Sequence, residues 1–195
     1  MKLTVPNSLE DITVAQYRKL AQIDITQDET QWLKETVSVL CGLDESLVNK
    51  LSLTELEKIG TVVNKITNAD TNDQELVKKI DYKGKRYGFH PNLSKLTVGE
   101  FADLETYCAA GFFEHINEII SILYRPIKQE HKDFYQIEEY TGDVFPDYWD
   151  DLKMHVVLGA TNFFLSIGET LTTDLVNSLA VKDKLTSSRK NGDGT

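Results

Sequence analysis

Cysteine is nearly absent from this chain. Cys41 and Cys108 stand alone, too few and too far apart for a secreted disulfide framework or a zinc knuckle. Each falls within an apolar helical pattern, so buried thiols in a reducing compartment are expected. Phosphate-binding glycine loops are missing too: Gly84-Lys85 lacks the earlier glycine and the following Ser or Thr, and no Gly-x-Gly-x-x-Gly occurs. There is no Gly-x-Ser-x-Gly elbow and no paired-histidine motif of zinc proteases. Long apolar runs are also lacking. The greasiest window, Met154 to Ile167, contains His155 and Asn162 and is too short to cross a bilayer. The opening MKLTVPNSLED has no apolar run before its first acids and is not expected to act as a secretory signal. No catalytic residue, cofactor or metal site is expected.

Positive charge is the other shortage. Against 31 Asp and Glu there are 21 Lys and Arg, a net charge of −10. Residues 182–195 carry four bases and two acids, so the rest of the chain is more acidic still. Such a body repels phosphate backbones, which argues against nucleic acid and makes basic protein surfaces the natural electrostatic partners.

What is present is enough for a core: 41% apolar residues and 9% aromatics in 195 positions. The expected architecture is mainly α with a small β-hairpin or three-stranded sheet, an α+β helical bundle. Residues 1–70 read as an N-terminal helical half. Residues 71–181 read as a hairpin plus a second helical half packed with the first, and 182–195 as a flexible tail.

Thr13 is placed to cap a helix bearing Val14, Tyr17 and Leu20. A second helix carries Leu33, Val37, Leu40 and Cys41 up to Gly42, and another, opened by Thr54, carries Leu56, Ile59, Val63 and Ile66. A joint is expected from Asn68 to Asp73. Alternation around Lys83-Gly84 predicts a hairpin over 78–90, with Phe134 to Tyr140 as a third strand. Thr97 and Glu100 form a capping-box sequence, followed by a core stripe of Val98, Phe101, Leu104 and Cys108. After Gly111, Ile116, Ile119, Ile120 and Leu123 make the face of a helix that Pro126 stops. The last and longest helix is expected from about Tyr148 to Ala180. The Thr13 and Thr97 regions, and the Ser38 and Ser121 regions, echo each other at nearly equal offsets. Internal two-fold duplication and chance helical periodicity both account for that echo.

Titratable groups gather in several places, each with a plain structural reading. His115 and Glu118 share a helix face but make only half a metal site. His90, His131 and His155 invite no role. Asp143, Asp147, Asp150 and Asp151 suit the start of a helix on a solvated face. Glu138 and Glu139 should alternate outward on a strand, and Arg125 should make an internal salt bridge or cap a helix end. Among the aromatics, Phe112/Phe113 and Tyr148/Trp149 are adjacent on expected helices and cannot all face inward. One ring of each pair is expected near a partner-facing surface.

The opening MKLTVPNSLEDITVAQYRKL, the block GKRYGFHPNLSKLTVGEFADLETY, and ISILYRPI followed by YQIEEYTGD resemble small acidic proteins of tailed bacteriophages. The resemblance covers about three quarters of the chain. It implies a non-enzymatic role in virion morphogenesis in the host cytoplasm, as a tail assembly chaperone or assembly factor with a phage tail or baseplate protein as partner. A structural virion component, such as a connector or baseplate subunit, is the alternative, and an enzyme the third. No functional residue transfers with the resemblance.

Overall fold

A computed structural model describes residues 4–68, 73–132, 134–143 and 147–167. Residues 1–3, most of the expected 68–73 joint, the part of the expected last helix beyond 167 and the expected tail lie outside them. Among the described residues seven helices and a four-stranded antiparallel sheet form a mixed α+β fold. In chain order these are α1 (Val14–Ala21), α2 (Glu29–Cys41), α3 (Glu45–Val48), α4 (Leu53–Thr67), β1 (Lys79–Tyr82), β2 (Lys85–Phe89), α5 (Val98–Ala110), α6 (Ile116–Leu123), β3 (Tyr124–Glu130) and β4 (Tyr135–Ile137). Residues 154–167 form α7.

Helices α1, α2, α4 and α5 begin where side-chain oxygens can take the orphan backbone donors. Thr13 with Gln16, Ser52 with Glu55 and Thr97 with Glu100 each close a capping box, an interaction of about 1 kcal/mol per cap. The cap of α4 is thus Ser52, two residues before the expected Thr54. Gly42 ends α2 in the left-handed region, at φ 62°. The N-terminal helices pack through α2, and Gly60 of α4 lies against Leu33, where an added Cβ would come within 3.2 Å of its side chain.

The hairpin forms as the alternation predicts. Lys79 to Tyr82 pair with Gly88 to Lys85, and the two-residue turn Lys83-Gly84 has positive φ at both positions, matching the twist of the strands. The third strand is not the expected one. The strand beside the hairpin is β3, paired through Phe89–Tyr124, Gly88–Arg125 and Tyr87–Pro126, and β4 lies outside it. β3 lacks a period-2 pattern because its first residues are buried and its last exposed, so only its proline is conspicuous in the sequence. That proline also limits β4. Glu138 donates to the Pro126 carbonyl at 2.9 Å, but Pro126 has no N–H to return the bond, and β4 stops at Ile137.

Two expectations about helices are corrected. The last helix starts at 154, not near Tyr148. The chain before it is held instead by the N-terminal segment, with Val14 and Ala15 donating to the Leu152 and Asp150 carbonyls and Met154 donating to Ile12. From 154 the helix is buried on almost every side through Ala160, as a core helix should be. The stripe Val98, Phe101, Leu104 and Cys108 is not core either: only Leu104 is buried, and Cys108 is exposed.

The two echoing segments share the cap and then diverge. Ser38 donates to the Leu43 carbonyl at the end of α2, whereas Ser121 donates to Asn117 and accepts from the Trp149 indole. A single apolar cluster joins both halves, from Ile12 and Val37 to Ile120, Trp149 and Val157. Gly159 sits at its tightest point, where an added Cβ would lie 2.1 Å from the Glu75 carbonyl oxygen. Gly159→Ala should therefore cost about 3 kcal/mol through backbone displacement, read as a lower urea midpoint, while Gly99→Ala, which meets nothing within 4 Å, should leave it nearly unchanged.

Candidate functional site

Glu100 occupies the third position of α5 and is 2% exposed. Its Oε2 accepts from the Thr97 backbone N–H at 2.6 Å, and its Oε1 lies 2.6 Å from the Arg125 guanidinium. One carboxylate thus caps the helix and ties it to β3. Burial alone would raise its pKa, but the Thr97 hydrogen bonds and the charges of Arg125 and His90 outweigh burial and leave it lowered. Burial, with Arg125 next, pushes the neighbouring His90 imidazole below its ordinary value. Arg125 is 7% exposed, and its Nε has no acceptor among the described residues. The expected internal salt bridge is present, but its partner is Glu100 on a helix and not the nearer Glu138 or Glu139.

This tie fixes the rotation of α5. Tyr140 adds a second tether, donating to Asp103 at 2.8 Å. With Glu100, Leu104 and Tyr107 turned inward, Val98 is 88% exposed and Phe101 55% exposed. Val98 and Phe101 thus face solvent, while Leu104 of the same stripe faces in.

The four sequence-nominated aromatics separate. Phe113 is 41% exposed and touches the Tyr17 ring at 5.7 Å, while Phe112 packs against the core. Trp149, 2% exposed, is the ring of its pair that faces inward. Its backbone N–H donates to Asn117 at 2.6 Å, its indole N–H donates to Ser121 at 2.8 Å, and its ring meets those of Tyr82 and Tyr87 at 4.9 Å each. Neither Tyr148 nor Trp149 is helical, because both fall in the turn before α7. Tyr148 is half-buried, with its hydroxyl 2.6 Å from that of Tyr87.

Between the sheet and residues 138–143 lies a cavity of about 280 Å³, lined by Tyr87, Tyr124, Tyr140, Tyr148 and Trp149 together with Arg125, Lys85, Glu138, Glu139 and Asp143. A second hollow of about 340 Å³ shares Arg125, Glu138, Glu139 and Tyr140 and adds His90 and Glu100. Glu138 and Glu139 therefore line the same cavities and do not alternate on a strand, because β4 has ended before them. Burial, then the bond to Tyr148 and then the charges of Tyr148 and Glu138, drive the Tyr87 phenol far up, so it stays neutral.

The remaining acids are engaged structurally. Arg18 binds Asp147 and Asp150 at 3.3 and 3.1 Å, and Asp150 also accepts from Asn117. Among the described residues no group of three His, Cys, Asp or Glu is arranged to hold a metal, and no helix is long and apolar enough to cross a membrane. The fold and its surfaces define an acidic α+β protein with an outward apolar helix face and an aromatic-lined cavity. Comparison with protein-family models, curated proteins and solved structures finds no match.

Removing Glu100 strands a buried guanidinium. Glu100→Ala should cost about 3–5 kcal/mol in denaturant unfolding at pH 7, and Glu100→Ala/Arg125→Met should recover much of that loss. Acid should act through Glu100 and the neighbouring His90. Both Glu100 and His90 have lowered folded values, so below 6.5 for His90 and 4.5 for Glu100 the unfolded chain takes protons first. Stability should fall with pH in those two windows, and the lower loss should be absent from the double variant.

Proposed function

We propose that this protein is a non-enzymatic assembly factor of tailed-bacteriophage morphogenesis, a tail assembly chaperone that holds a tail protein in the infected host cytoplasm. The observation that carries this reading is the outward apolar face of α5. Val98 and Phe101 lie on a helix whose rotation is set by a buried ion pair, so the face cannot turn inward to satisfy itself. Two exposed apolar side chains at helical spacing on an acidic body suit the capture of an amphipathic helix, with apolar contacts giving affinity and charge speeding encounter. The resemblance of the MKLTVPNSLED, GKRYGFHPNLSKLTVGEFADLETY and ISILYRPI segments to small acidic phage proteins supplies the biological setting.

Pull-down from infected cells should return a tail component, and purified mature virions should contain little of this chain. Stoichiometric presence in virions would instead make it a connector or baseplate subunit. Phe101→Asp should weaken tail-protein capture at least about tenfold, as expected of a central aromatic anchor. Its effect on stability should stay within about 0.5 kcal/mol, because the ring is largely exposed. Phe113→Ser offers a comparison at the neighbouring ring, and retained capture by Phe101→Asp would move the docking surface away from α5.

A further inference from the structure

We infer that the cavity between β2, β3 and residues 138–143 is a cation-binding pocket, built to take the ammonium or guanidinium group of a lysine or arginine side chain in a polypeptide. This deepens the partner-binding reading and rests on it only for the source of the side chain. The pocket's own chemistry comes from its lining.

Aromatic surface supplies the first part. Tyr87, Tyr140, Tyr148 and Trp149 line about 280 Å³, enough for the end of a long side chain. Ring faces attract cations, by about 2 kcal/mol where water is partly excluded. The cluster already does so within the chain. Lys83 Nζ lies 4.8 Å from the Tyr148 ring centre and 5.3 Å from that of Tyr82, while donating to the Tyr148 carbonyl at 2.8 Å.

Charge supplies the second. Glu138, Glu139 and Asp143 stand on the cavity wall, opposed by Lys85 and Arg125. The Arg125 charge is already neutralised by Glu100 at 2.6 Å, so the pocket retains an excess of carboxylates. Neither Glu138 nor Glu139 has an ion-pair partner among the described residues. Arg125 also lines the cavity with more than nine-tenths of its surface buried, and its Nε is enclosed without an acceptor among the described residues. Ring faces beside carboxylates suit an organic cation on an apolar stem, which a hydrated metal ion does not match.

The test uses the purified full-length chain and N-acetyl-lysine methylamide, with N-acetyl-norleucine methylamide as the uncharged control. Nitrogen-edited NMR follows the Trp149 indole N–H, which is bonded to Ser121 beside the cavity. The lysine probe should give a saturable shift at up to about 100 mM, and the norleucine probe none. Glu138→Gln/Glu139→Gln should weaken the lysine probe about tenfold through loss of charge, with an unchanged urea midpoint because both side chains are exposed. Equal response to both probes, no saturable shift, or unaltered affinity in the double variant would each overturn the inference. Binding of the lysine probe by a chain that captures no tail protein would leave the pocket standing and remove only the assembly reading.

Discussion

The structure depends on one buried carboxylate. Glu100 closes the cap of α5 with one oxygen and meets Arg125 of β3 with the other, so helix start, helix rotation and sheet are fixed by a single side chain. Such a pair adds little net stability compared with apolar residues of the same volume, since both charges lose their water. What it contributes is choice. Turning α5 to bury Phe101 and Val98 would pull Glu100 out of its cap and leave Arg125 without a counter-charge. The helix therefore keeps Val98 and Phe101 outside, at the expense of burial that the sequence could otherwise have supplied.

Much of this fold can be read from residue order. The capping boxes at Thr97 and the glycine stop at Gly42 are local chemistry and need no tertiary information. The hairpin is equally local, because alternation and Lys83-Gly84 specify it before any packing occurs. The α6 face was legible for a different reason: isoleucines at helical spacing permit only a buried helix, and all four positions are buried. The rest required long-range partners. β3 is a strand because β2 and β4 flank it, and the start of α7 is set by bonds to Ile12, Val14 and Ala15, more than a hundred residues away.

The candidate surfaces were less legible than the fold. Adjacent aromatics signalled that some rings must stay outside, and Phe113 does, but the rule could not say that Trp149 is the inward ring of its pair or that its segment is a turn and not a helix. The α5 stripe carried the opposite error. Its spacing spoke for burial, and only the Glu100 to Arg125 contact shows why the helix is turned the other way. Glu138 and Glu139 were assigned to opposite faces of a strand that Pro126 prevents from reaching them. In each case the periodicity was present and the missing quantity was the rotation or length of an element, which distant contacts decide.

Helix α6 ends at Leu123 and β3 begins at Tyr124, with no residue between them. A chain that passes from buried helix to inner strand without a linker has no slack to absorb a change in length. One inserted residue at that junction would either rotate α6 by about 100° about its axis or send every β3 side chain to the opposite face of the sheet. The first displaces Asn117 and Ser121 from Trp149, and the second removes Arg125 from Glu100. Insertions and deletions belong in the surface turns of this protein, while the junction at 123 and 124 counts residues as strictly as a gear counts teeth.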